Sequence, residues 1–330
     1  MIELRKKEYE IKHNYFCVHN YPNYNHMSDS IVLLDSIREI SMCAEVAEKD
    51  DRKIIIAFDA TELDNWEMCK FRWHMFHQRH IRGKHQESYF EKGTVLHYFM
   101  ELYYKAKLNK ETIDQAKLEE IVERGRIKSL DYDLTTEEVA ETIFQFREYH
   151  RFYEDENIIP LYVEEPFTVE IYSDQKIQVL IAGQPDLIFK YSGSSDIIVM
   201  DHKRMSRNTD YSPLRNQFNL YATALKTDTV IVNKIGFQKT LKPKDRFLRT
   251  PFVYNPESLD EWKQEAVREA KEMILYNDGS KGFPKNRTSC EKWNGCYLQR
   301  YCATRPSGRE FLIGSEYLVG TPWDIGKGLE

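Results

Sequence analysis

The sequence has no unbroken apolar run long enough to cross a bilayer, so a helical membrane protein is not expected. Its opening stretch, MIELRKKEYEIKHNYFCVHN, is charged throughout and lacks the apolar core of a signal peptide, which points to a cytoplasmic setting. In that reducing compartment the six cysteines are expected as free thiols or metal ligands, not as a disulfide framework. No GxxxxGK[ST] phosphate loop occurs, which excludes a nucleotide-driven motor of the usual kind. There is neither an internal repeat nor a low-complexity segment. Positive charge is also short. The formal net charge is -6, so attraction to an anionic polymer has to come from local patches.

Such patches exist. The run from Lys239 to Arg249 holds Lys239, Lys242, Lys244, Arg246 and Arg249 against the single acid Asp245. The segment Lys203-Arg204-Met205-Ser206-Arg207 and the stretch from Lys281 to Arg287 add further cations. A hydrophobic fraction of 41% over 330 residues suffices for one large α/β domain or two modest ones.

Residues 1–60 read as an N-terminal extension without a usable motif, ending in a short buried strand over Lys53 to Phe58. Helical spacing follows in Trp66 to Arg82 and again through Val95, Phe99, Leu102 and Tyr103. A capping box at Thr135-Thr136-Glu137-Glu138 starts a third helix. The period then changes to that of strands at 161–171, 177–189 and 196–200, with Ser192-Gly193-Ser194-Ser195 as a turn. A helix over 213–226, a strand over 229–238 and a helix over 257–276 complete an α/β order.

The residues with the clearest chemistry lie in the strand-rich part. Gly183-Gln184-Pro185-Asp186 ends one strand, and Asp201-His202-Lys203 lies in the next. A hairpin can bring Asp186 and Asp201 together, while Asp201 and Lys203, two apart, share a face. Two carboxylates suit a hard divalent cation and leave it room for a phosphate and a water. Lys203 would offset charge developing on that phosphate. Outside this hairpin, Gly93-Thr94-Val95-Leu96-His97 puts a histidine on an early helix, and Gln217 and Tyr221 stand one turn apart on the helix after Lys203. His74, His77 and His80 are spread over too wide a helical arc to share one zinc and read as polar or DNA-facing positions.

The ordered set GxxxH, GxxD, DxK and QxxxY resembles the RecB-like branch of the PD-(D/E)XK nucleases, which includes the AddB nuclease, the CRISPR-adaptation nucleases and many phage exonucleases. The resemblance covers residues from about 66 to 305, which places a nuclease domain at 61–305 and leaves 306–330 as a tail. It implies an α/β restriction-endonuclease-like core, a central mixed sheet flanked by helices. It also implies a DNA nuclease dependent on Mg²⁺ or Mn²⁺, an exonuclease or end-processing enzyme acting on single strands or ends. By position, His97, Asp186, Asp201 and the backbone carbonyl of His202 would bind metal. Lys203 would be the catalytic lysine, and Gln217 and Tyr221 would shape the site. Pro185 before the metal aspartate and Arg204 after the lysine depart from the family pattern and bear on substrate preference. A non-catalytic nucleic-acid-binding subunit of a larger assembly is the alternative. A helicase or recombination protein is the partner the resemblance suggests.

Cys290, Cys296 and Cys302 recur at six-residue steps, with Cys69 as a distant fourth. Four thiolates fit either a [4Fe–4S] cluster or a structural zinc. The resemblance favours the cluster, clamping the C-terminal segment. Cys17 and Cys43 are expected as buried free thiols.

Overall fold

The computed structural model describes residues 54–84, 88–205, 210–238, 241–277, 281–292 and 295–320. Cys17, Cys43, Ser206, Arg207 and Lys239 lie outside them. The described residues fall into two compact units. One takes those up to Lys84, Pro166–Gln184 and those from Trp262 onward, and the other those of His85–Glu165 and Pro185–Glu261.

In the first unit β1 (Ile54–Phe58), the expected short strand, runs parallel to β5 (Ile177–Gly183), which pairs antiparallel with β4 (Phe167–Ser173). A second ladder joins β2 (Ile81–Gly83) to β10 (Tyr317–Val319). The stretch read as one helix over 66–82 is broken. Helix α1 (Ala60–Met68) stops at Cys69, whose backbone is extended, and α2 (Lys70–Trp73) passes into a π-helical turn at His74–Gln78. The break is stabilised from the C-terminal side, because Asn286 Nδ2 and Ser289 Oγ donate to the Met68 carbonyl at 2.9 and 3.0 Å. Helix α8 (Pro256–Asn277) packs its later turns here, with Glu269 accepting from Trp66 Nε1 at 2.9 Å. His74 stacks on Phe283, and His77 faces Asn65 and Trp73. These histidines are thus engaged in packing. The short α9 (Gln299–Ala303) carries Cys302.

The second unit is a five-stranded mixed sheet in the order β3 (Ile158–Val163), β6 (Leu187–Tyr191), β7 (Ile198–Met205), β8 (Thr229–Gly236) and β9 (Phe247–Val253). Only the β7–β8 pair is parallel. Helices α3 (Ser88–Leu108), α4 (Gln115–Lys128) and α5 (Thr136–Phe152) bury Phe99, Tyr103, Ile121 and Phe146 with Met200, Ile231 and Phe247 on one face. Helix α6 (Asn216–Leu225) packs on the other face, where Phe218 meets Phe252. The expected capping box at Thr135 and Glu138 starts α5. At Gly125 in α4 a Cβ would lie 1.9 Å from the Phe99 ring. Gly125→Ala is therefore expected to destabilise the protein by about 1–3 kcal/mol through overpacking, measured as a lowered melting temperature.

In the described part of the basic run, 241–249, the cations are not all on the surface. Lys242 caps α7 (Pro243–Arg246), and Lys244 is exposed, but Arg246 is buried against Glu148 at 3.1 Å. Arg249, on β9, bonds Glu156 at 2.6 Å and Tyr149 at 2.8 Å. Its guanidinium also lies 3.7 Å from the Tyr153 ring centroid. Arg249→Ala is expected to leave Glu156 with Lys107 alone as its counter-charge, 2.9 Å away, and to strip the buried Tyr149 hydroxyl of a donor, at a cost of about 1–3 kcal/mol. Unchanged stability in chemical denaturation would refute that structural role.

Candidate active site

The hairpin β6–β7 sets the site. Its register pairs Leu187 with Met200, so one step outward Asp186 comes opposite Asp201, as the sequence reading anticipated. The His202 backbone N–H donates to Asp186 Oδ2, and Asp201 and Lys203 share the face toward α6. Lys203 Nζ lies 2.8 Å from Asp201 Oδ2 and donates to Gln217 Oε1 at 3.2 Å. Gln217 Nε2 donates to Asp201 Oδ1 at 2.9 Å and reaches Tyr221 Oη at 3.2 Å. One helical turn thus locks the amide between the lysine, a carboxylate and a phenol. From α3, His97 Nδ1 stands 3.3 Å from Asp186 Oδ1.

Glu164 carried no motif in the sequence, yet it completes this cluster. Ligand atoms of His97, Glu164 and Asp186 all lie within 4.8 Å of one another. Glu164 follows β3 with a left-handed φ of 52°, and its N–H donates to the Asp186 carbonyl at 3.2 Å. His80, Lys110 and Lys226 share this left-handed φ, so it is the position of the Glu164 carboxylate beside His97 and Asp186, not its backbone, that marks it.

Charge is concentrated here under low exposure, with Asp186 9% and Asp201 1% accessible. Burial works against ionised Asp186, but the His97 imidazolium beside it wins, and the carboxyl is held below its usual range. Asp201 goes the other way, since burial and the Asp186 charge outweigh Lys203 and raise its carboxyl. His97 is desolvated, yet Asp186 and Glu164 push it up to about 9. Lys203 is likewise desolvated but raised by Asp201 and Asp186, so it stands as an ammonium suited to pairing with a phosphate oxygen. Burial drives Tyr221 well above the ordinary phenol value.

The opposite face of β7 is wired differently. His202 points there, is lowered to about 3 by burial, stacks on Tyr104 and meets Asn233 at 2.8 Å. Asn233 Nδ2 also donates to Tyr149 Oη at 2.9 Å, and Tyr149 joins Tyr104 at the same distance. Arg204, the departure after the lysine, also turns to this face. It bonds Gln145 at 3.1 Å and Glu141 at 3.3 Å.

In the first unit Cys69, Cys290, Cys296 and Cys302 line one cavity of about 270 Å³ with Lys285 and Arg72. The Asn286 N–H points at Cys69 Sγ, 3.4 Å away. Burial raises the Cys302 thiol against the pull of Lys285, and the three other thiols add to the rise. No three of these sulfurs form a group within 4.8 Å of one another comparable to the His97 cluster.

A family model described as the PD-(D/E)XK nuclease superfamily matches residues 57–306. No curated protein matches the sequence significantly. Solved structures with a faint likeness include the alkaline exonuclease LHK-Exo from Laribacter hongkongensis. It is 8% identical, over 54% of this chain and 91% of that one, with a TM-score of 0.29. The same protein in complex with dAMP gives 11% identity, 59% and 99% coverage, and a TM-score of 0.28.

Proposed function

Because the chain belongs to the PD-(D/E)XK nuclease superfamily, we propose that it hydrolyses DNA phosphodiester bonds with Mg²⁺ or Mn²⁺, working from strand ends. The observation that carries this reading is the convergence of Asp186, Asp201, Lys203 and Gln217 in one buried volume beside His97 and Glu164. The donor set fits a hard divalent ion, since carboxylates dominate and the two aspartates crowd each other when both are charged. His97, Glu164, Asp186 and Asp201 would hold it, with the His202 carbonyl as a further ligand. Such an ion supplies Lewis-acid polarisation of the phosphate and a more acidic water. Lys203 neutralises charge on the phosphate, Gln217 keeps Lys203 and Asp201 in register, and Tyr221 supports Gln217.

The test is incubation of the purified chain with end-labelled linear single- and double-stranded DNA and with circular single strands, in Mg²⁺, Mn²⁺ or EDTA. Metal-dependent shortening of linear strands with circles spared is expected. Absence of cleavage in every metal would sink the reading, and cut circles would sink the end-directed part. Glu164→Gln is expected to raise the metal concentration for half-maximal activity about tenfold or more, measured by metal titration of the cleavage rate.

For the thiols we propose a [4Fe–4S] cluster. The four thiols share one cavity with Lys285 and Arg72, and the Asn286 N–H is directed at Cys69 Sγ; cations and an N–H donor beside the sulfurs are the surroundings such clusters use.

A further inference from the structure

We propose that Lys234 binds a backbone phosphate of the substrate strand next to the scissile one, and that Asp210 covers it in the absence of a strand. The ligand class, a polynucleotide, rests on the nuclease reading above.

Strands β7 and β8 run parallel with His202 beside Asn233 and Lys203 beside Lys234. The 202 and 233 side chains meet at 2.8 Å on the face of α3 and α5. By alternation Lys203 and Lys234 share the other face, that of Asp201 and Gln217. The neighbouring β8 positions on this face, Val230 and Val232, are apolar and fully buried. Lys234 breaks that pattern at 4% exposure, which is costly for an ammonium without a reason to be there.

The partner found for it is Asp210, whose carboxylate lies 3.3 Å from Nζ with its own side chain 99% exposed. The lysine stem is therefore buried, and its tip ends beneath a solvated acid. A pair of that kind adds little stability. It is also readily exchanged, because a phosphate offers the same anionic oxygens with more charge.

The parallel register puts this opening beside the active site, with Lys234 next to Lys203 on the same face. The segment after Asp210 is anchored to α6, since the Pro213 carbonyl accepts from Asn219 Nδ2 at 3.0 Å and from Tyr254 Oη at 2.7 Å.

The experiment measures binding of the full chain to a fluorescent single-stranded oligonucleotide in EDTA by anisotropy, across a salt series. Lys234→Met should weaken binding about tenfold and reduce the slope of log affinity against log salt by about 0.7, one phosphate contact. Asp210→Asn should tighten binding about threefold, whereas Asp196→Asn, an exposed acid in the turn before β7, should not. In the double variant the gain from Asp210→Asn should vanish, since it acts through Lys234. An unchanged slope in a folded Lys234→Met protein overturns the proposal, as does equal tightening by Asp196→Asn or a gain that survives without Lys234. Should Lys234→Met fail to fold, the comparison of Asp210→Asn with Asp196→Asn decides. Because no metal is present, the outcome is independent of cleavage. A chain that binds as expected but never cuts would refute the nuclease reading alone.

Discussion

Asp201→Asn is expected to reduce cleavage on the order of 10³-fold while leaving the melting temperature no lower than that of the parent protein. On the proposed function, the activity loss follows because the removed charge would hold the metal and, through Lys203, act on the phosphate. The stability outcome follows from the same geometry. Asp201 is buried next to Asp186, and burial together with that neighbour raises its carboxyl. The fold therefore disfavours the ionised form, and a neutral isostere that still accepts from Gln217 relieves the repulsion. Lys203→Ala should lose activity to a similar degree but melt lower, since it leaves Asp186 and Asp201 facing each other without the ammonium. Parent-like cleavage in either variant would refute the active-site assignment. A marked fall in the melting temperature of Asp201→Asn would refute the account of its charge.

Cys69→Ser, Cys290→Ser, Cys296→Ser and Cys302→Ser are each expected to bleach protein purified without oxygen and to lower its melting temperature. The parent protein should be brown and contain about four irons per chain. Cys69 and Cys290 are 221 positions apart (290 minus 69), so their joint ligation closes a very long loop. The chain-entropy relation for a cross-link of that length gives about 5 kcal/mol, and thiolate–metal bonding adds to it. Asn286 and Ser289 already dock on the Met68 carbonyl, so the cluster would reinforce an existing contact within this unit. Cys17→Ser and Cys43→Ser should keep the colour. A colourless chain holding one zinc would refute the cluster, and full stability after Cys69→Ser would refute the clamp.

Much of the site was legible because it depends on short-range geometry. Alternation puts Asp201 and Lys203 on one face, helical spacing puts Gln217 under Tyr221, and a hairpin returns Asp186 to Asp201. Glu164 was hidden because it enters through a left-handed turn after β3, which no periodicity announces. The run ending in Arg249 was misread for a related reason. A count of cations does not register burial, and Arg246 and Arg249 find their acids on α5 and in the segment that follows it, about a hundred positions earlier. Strand β9, which starts in that run, was missed because Arg249 and Pro251 mask its pattern. Proline is tolerated there because β9 is an edge strand. Helix α4 was missed because its charged residues outnumber its buried ones.

Strand β7 gives every position a face-specific duty: Met200, His202 and Arg204 belong to the packed side, Asp201 and Lys203 to the reactive one. Its tolerance to insertion and deletion is consequently close to nil. Losing a single residue inside β7 ahead of Asp201 would turn the rest of the strand over, aiming His202 and Arg204 at the face of α6 and driving an ammonium into the aromatic core. Length changes in the turn at 192–195 are instead absorbed between Phe189 and Ile198, where the hairpin pairing stops, so functional variants selected from a library should vary in length there and not within the strand.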